Sequence, residues 1–381
     1  MRENVSRPFP SKRIVAKLDN PTIRFGRFPN LMPGLIHPSR FIPVVVGALA
    51  MAGAMKASAD PLAELAAFSS FKEVNLEKLA AGTVQSVRGP AMSFPRGLAV
   101  ESVYVLRKPL QKAAELHVEW NPNKHPELKV FLHTDLSARP TAAEFQKLGA
   151  APANSSVKSF AAATQKLGSG SSDLQLSNAD AKAFASQSPA APAGGALPPK
   201  VAAFWSGILV QRAQAFLSGG AARLPPYETA GETIRPGDEI ARLLKDAAKV
   251  RGQFSALIDA NPLTGSKAAP GQAGYWEMFD VEGTAAVNLG ALLTRSGRDG
   301  WQALDGQYYS SGGYYVLLTF YQLWPVKIAG QDCTLVWRGD LISAAALATL
   351  HGVERMGSST AMMRETKKSI ESLLKDAAKA P

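Results

Sequence analysis

Cysteine is almost absent from this chain: Cys333 is the only one in 381 residues. One thiol cannot form an internal disulfide, so the fold must hold by core burial rather than by covalent staples. The same scarcity removes zinc sites built on paired cysteines. His117-Val118-Glu119 matches the H-x-E of zinc deaminases, but that chemistry needs further cysteine ligands. Histidine is scarce too, at five. His117, His125 and His133 stand eight apart, whereas ligands on one helix want i,i+4 and on one strand i,i+2. They fall on a helix, a turn and a strand, which favours separate, solvated or hydrogen-bonded histidines. There is no G-x-S-x-G, no H-E-x-x-H, no Walker loop and no G-x-G-x-x-G after a strand. No metal and no cofactor is therefore expected.

Charge of one sign dominates only at the start. The formal net charge is +11. Residues 1–59 carry nine Lys/Arg against Glu3 and Asp19, and the remaining chain carries 33 basic against 29 acidic side chains. So balanced a surface attracts phosphate weakly, and no nucleic-acid partner is expected. The basic segment has its own reading. Arg40 precedes an apolar run from Phe41 to Met55, followed by Ala57-Ser58-Ala59 before Asp60-Pro61. That is the n-region, h-region and A-x-A site of a secretory signal peptide, with cleavage expected after Ala59. The run is shorter than the ~20 residues of a membrane span and contains Pro43, Gly47 and Gly53. Met32 offers an alternative start that would give a leader of ordinary length. The expectation is a periplasmic or secreted protein that meets the membrane only through this peptide, followed by a single domain over 60–381.

Along that domain, helical spacing covers 61–82, and alternation predicts strands at Val100–Pro109 and Glu127–Leu136, with a short helix between. Residues 149–199 shift to Ala, Ser, Pro, Gly and Gln, and predict a loose excursion that buries little, with "SDLQLS" as a short strand. Helical stripes return at 200–218 and again after Pro236-Gly237, with Asp238 as N-cap, so 150–260 reads as an insertion. From Phe279 apolar residues recur at period two through Leu293, predicting one long strand bent at Gly283 and Gly290. Three further strands follow, joined at Asp299-Gly300, Gly312-Gly313 and "KIAGQD", as an antiparallel meander. A helix from about Ala344 to Lys379 closes the chain, with Val353, Met356, Thr360, Met363, Ile370, Leu373 and Ala377 as its stripe. A sheet covered by a terminal helix is α+β.

Two chemical patterns are weighed and set low. Ser155-Ser156-Val157-Lys158 fits S-x-x-K, but the companion K-T-G is missing. Asp280 and Glu282, two apart on the long strand, would share a face and allow paired-carboxylate chemistry; a solvent-facing acidic edge is the plainer reading. The densest aromatic stretch is "YYSSGGYYVLLTFYQLWPV", Tyr308 to Val326. At period two, Val316, Leu318, Phe320 and Trp324 take one face, and Tyr315, Leu317, Thr319, Tyr321 and Leu323 the other. A strand apolar on both faces is buried on both. One side should meet the terminal helix and the other the helical middle.

The order of segments resembles a group of uncharacterised exported bacterial proteins. "LEKLAAGTVQSV", "VYVLRKP", "SDLQLS", the helix carrying Trp205 and Arg212, "YYSSGGYYVLLTFYQL" and "GVERMGSSTAMMRETKKSIESLL" carry the likeness over most of the domain. The meander with its terminal helix is also similar to the START-like, helix-grip superfamily. That resemblance implies a curved antiparallel sheet wrapped on the C-terminal helix with an apolar cavity between them, and a larger helical middle than a minimal START-like domain carries. On it rests the expectation of a lipid or other apolar small-molecule ligand, lined by Tyr315, Leu317, Tyr321, Trp324 and Met363, with Arg355 as polar anchor. The alternatives are a START-related cyclase- or hydrolase-like enzyme using Asp280 or Glu282, and a non-catalytic envelope scaffold with a filled core.

Overall fold

In the computed structural model, the structure describes residues 60–169, 173–186, 197–228, 232–260, 263, 273–297 and 299–379. The leader, its cleavage site and the start at Met32 lie outside them. One curved, open antiparallel sheet organises the rest. Its strands are β1 (Gln85–Arg88), β2 (Gly97–Leu106), β3 (Val130–Leu136), β4 (Ala273–Val281), β5 (Thr284–Ser296), β6 (Trp301–Ser310), β7 (Val316–Ile328) and β8 (Gln331–Ser343). The spatial order is β1-β2-β8-β7-β6-β5-β4-β3. The meander from β4 to β8 is thus flanked by the early strands, β2 against β8 and β3 against β4. The fold is α+β, as the segment order predicts.

The long strand expected from Phe279 is two strands. Glu282 (φ 50°) and Gly283 (φ 85°) both take the left-handed conformation and join β4 to β5, with Val281 opposite Thr284. Two such residues make the twisted two-residue hairpin turn, and glycine at the second bears no steric cost. The turn reverses the parity of the strand. Tyr275, Glu277 and Phe279 face one side of the sheet, and Ala285, Val287 and Leu289 the other. Both faces are buried, so alternation alone carried no mark of the break. Gly290 is no simple bend either. It lies at an irregularity in the β5–β6 register, and a side chain there would collide with the Tyr275 ring at 2.1 Å. The turn at Ala329-Gly330 falls where "KIAGQD" predicts it.

One face carries the helical middle. α6 (Pro199–Gly219) buries Phe204, Trp205, Leu209 and Phe216, and the Phe216 ring stacks on Tyr308 at 3.7 Å. Each such burial is worth about 1.5–3 kcal/mol. The segment expected to bury little contributes here. α4 (Ser155–Gln165) and α5 (Asn178–Ser186) bury Val157, Phe160 and Phe184. Asn154 caps α4 by accepting from the Val157 amide at 2.9 Å. Alanine is the strongest helix former, and its small side chain lets α4 lie close on β5. Leu174 and Leu176 are also buried, but "SDLQLS" adds no strand; the Gln175 backbone N–H donates to the Ser311 carbonyl at 2.9 Å. The expected helix after Pro236 is three pieces, α7 (Pro236–Asp246), α8 (Ala248–Gln253) and α9 (Ser255–Asp259). Arg235, not Asp238, is the N-cap of the first; Asp238 sits in its first turn. Residues 61–82 likewise form α1 (Pro61–Phe68) and α2 (Leu76–Ala80), the second capped by Asn75.

The other face carries α3 (Leu110–Glu119) and α10 (Gly352–Lys379). Residues 345–347 form a separate 3-10 turn, so α10 begins later than expected. Its expected stripe is only half right. Val353 is 82% exposed and Met356 49% exposed, while Ile370, Leu373 and Ala377 are buried with Met362, Ser359, Thr366, Ser369 and Ser372. The helix presents hydroxyls because the sheet beneath it presents polar groups. Among the described residues no helix is long and apolar enough to cross a membrane.

Candidate functional site

Strand register brings one row of polar side chains together beneath α10. Arg338 and Asp340 stand two apart on β8 and therefore share a face. Tyr321 lies opposite Arg338, Thr319 opposite Asp340, and Asp305 of β6 opposite Thr319. Further along, Glu277 of β4 lies between Asn288 of β5 and His133 of β3. All but His133 are at most 2% exposed.

Arg338 and Asp340 form the centre. The guanidinium Nε donates to both Asp340 oxygens, at 3.1 and 2.9 Å. Thr319 donates to Asp340 at 2.8 Å, and Thr366 reaches down from α10 to donate at 3.3 Å. The carboxylate thus ties helix to sheet. Burial works to lower the Arg338 pKa, but Asp340, Tyr321 and Tyr104 together outweigh it and hold the group above its ordinary value. The Arg338 Nη2 is buried and makes no hydrogen bond. An arginine carries five N–H donors and no acceptor, so an idle buried nitrogen is a desolvated donor.

Two aromatic hydroxyl pairs flank this centre. Tyr104 of β2 meets His117 of α3, with its hydroxyl 2.8 Å from Nε2; the His117 Nδ1 lies 2.7 Å from the Ala113 carbonyl. A carbonyl only accepts, so Nδ1 carries the proton and Nε2 accepts from Tyr104. Burial pushes the His117 pKa down to about 4; the Ala113 carbonyl opposes this and the Arg338 charge adds to it. On the other side Tyr275 donates to Asp305 at 2.7 Å, and burial followed by the Asp305 charge raises its pKa well above the ordinary value. Beyond it His133 Nδ1 lies 2.8 Å from Glu277, and Asn288 donates to Glu277 at 3.3 Å and to Gln307 at 3.1 Å. The result is a buried layer of donors and acceptors, able to orient the polar part of a small molecule. Among the described residues no group of three or more His, Cys, Asp or Glu side chains is placed to hold a metal ion.

The residues singled out from sequence do not converge on one cavity. Leu317 and Tyr321 lie on this face, and Met363 of α10 packs half-buried against the Leu317 cluster. Tyr315 and Trp324 belong to the opposite face. The Tyr315 ring stacks on Tyr227, and the Trp324 Nε1 donates to Glu64 at 2.9 Å. Tyr315 precedes the regular part of β7, so its alternation does not carry through; Trp324 keeps the parity of Phe320. Arg355 is a clamp on backbone: it donates to the carbonyls of Pro95, Leu347 and Gly97. Asp280 and Glu282 do not share a strand face, because Glu282 is in the turn. Asp280 is buried, accepts from Lys129 Nζ at 3.2 Å and from the Ser156 hydroxyl, and so joins α4 to the sheet. Ser155 and Lys158 are both exposed. His125 is held apart from the other two histidines, against Asp376 at 2.7 Å.

Sequence reasoning passed over Arg338, Asp340, Asp305, Glu277 and Asn288. Their signal was present as polar residues at alternate positions inside otherwise apolar strands, clearest in "VWRGDLIS". Comparison with known proteins adds no relative: no family model, no curated protein and no solved structure matches this chain.

Proposed function

We propose that this is an exported binding protein that holds a small amphipathic molecule between the sheet and the C-terminal helix, in the START-like manner the sequence resembles. The observation that carries the reading is the buried Arg338–Asp340 pair with an idle Arg338 nitrogen. A scaffold core has no need of it: replacing a buried ion pair by packed apolar residues is typically neutral or stabilising by about 1–4 kcal/mol. A ligand with an acceptor group would engage that nitrogen, and its apolar part would lie along Leu317, Tyr321 and Met363. Arg338 takes the role of polar anchor that the sequence suggested for Arg355. The ligand is accordingly amphipathic rather than wholly apolar, a fatty acid or similar lipid. The leader would place it beyond the membrane.

Native mass spectrometry of the mature protein purified from cells tests this. A bound small molecule is expected, and emptied protein should take up a fluorescent fatty acid, less well in Arg338→Gln. A bare polypeptide mass together with no uptake refutes the reading and leaves the scaffold.

A further inference from the structure

α10 is anchored unevenly along its length. From residue 362 onward it buries Met362, Ile370, Leu373 and Ala377. Polar contacts add to this hold. Thr366 donates to Asp340 at 3.3 Å, Ser372 donates to Glu127 at 2.8 Å, and Asp376 accepts from Trp120 at 3.1 Å. The first turns are different. Val353 and Met356 are exposed. Arg355 holds these turns by donating to the carbonyls of Pro95 at 2.7 Å, Leu347 at 3.3 Å and Gly97.

Between the two parts lies Gly357-Ser358-Ser359-Thr360. Glycine inside a helix is destabilising relative to alanine, because it loses the most backbone freedom on ordering. The three hydroxyls that follow each donate to the carbonyl four residues earlier. Ser358 reaches Glu354 at 3.2 Å, Ser359 reaches Arg355 at 3.2 Å and Thr360 reaches Met356 at 3.1 Å. Such back-bonding competes with the amide ladder and bends helices, and Gly/Ser pairs are common kink sites. Close packing does not demand the glycine: Gly357 is exposed, and a Cβ there would meet no atom within 4 Å. The helix is weakest where its anchoring changes.

We propose that residues 352–356 form a flap, hinged at 357–360 and latched by Arg355, that opens the entrance to the layer beneath α10. The latch closes on the start of β2, at Pro95 and Gly97, and on the turn before α10, at Leu347. Leu98, Leu347 and Met362 belong to the apolar cluster at this end of the helix, which continues to Leu317 and Met363. The apolar part of the ligand is placed along those last two residues. Opening breaks the Arg355 contacts and leaves the second part of α10 on the sheet, as local unfolding of a weakly packed segment does. The entrance role rests on the ligand reading above; the hinge does not.

Hydrogen exchange and stopped-flow uptake of the fluorescent fatty acid test the two parts on the mature protein. Protection over 353–360 should be at least about tenfold lower than over 366–377. Gly357→Ala with Thr360→Ala stiffens the hinge at two exposed positions and should raise protection over 353–360 about fivefold. Arg355→Ala should lower it by about the same factor. Uptake should be slowest in the stiffened variant and fastest in Arg355→Ala, with the Kd unchanged, because both variants alter opening rather than the bound state. Uniform protection along α10, or protection unmoved by the hinge variant, overturns the hinge. Equal uptake rates in all three proteins overturn the entrance and leave the ligand reading standing. No uptake by any of them removes the ligand reading and the entrance together.

Discussion

His117 provides a direct test of the layer beneath α10. It is fully buried, its Nε2 accepts from Tyr104, and its pKa falls from 6.5 to about 4 in the folded chain. The unfolded chain therefore binds a proton on His117 between about pH 6.5 and pH 4 that the folded chain does not. Stability from this group is complete above the unfolded pKa and is lost as pH falls through that window. At about 1.4 kcal/mol per pKa unit, acidification from pH 7 to about pH 5 removes about 2 kcal/mol. Domains of this kind are stable by about 5–15 kcal/mol, so the loss is large enough to measure. His117→Gln can still accept from Tyr104 but cannot titrate. Urea unfolding of both proteins across this range isolates the histidine, because every other group titrates in both. The wild-type curve should fall about 2 kcal/mol further than the variant's. Parallel curves, or a variant that falls faster, would refute the burial of a neutral His117.

Breaking the central pair should be costly for a different reason. Arg338→Met strands the Asp340 carboxylate and should cost about 3–5 kcal/mol in urea, while Arg338→Met with Asp340→Leu should recover most of it; equal losses would show that the pair is not desolvated. Gly283→Ala meets no atom within 4 Å but must keep φ +85°, so about 1–2 kcal/mol should be lost through backbone strain alone. An unchanged unfolding midpoint would contradict the two-residue turn. Arg355→Ala should speed amide exchange over 352–358 and leave 366–377 protected, as expected of a clamp on Pro95, Leu347 and Gly97 carbonyls. Uniform exchange along α10 would argue against that role.

Much of the fold was legible locally. Apolar residues on both parities of "VLLTFYQLW" required burial on two sides, and the structure places the helical middle against one and α3 and α10 against the other. The 200–218 stripe and the Ala329-Gly330 turn were likewise local matters, set by side-chain period and by the positive φ that glycine tolerates. Ala and Ser content at 149–199 misled, because low apolar content measures how much a segment buries and not whether it packs. The site was legible only in fragments. Spacing shows that Arg338 and Asp340 share a face, but not which face, nor that Thr319, Asp305 and Thr366 lie around them. Those contacts depend on strand order, on the parity reversal at Glu282-Gly283 and on how α10 docks. Side-chain alternation is a property of each strand alone, whereas the meeting of β2 with β8 and of Thr366 with Asp340 is decided only when the whole sheet closes on its helix.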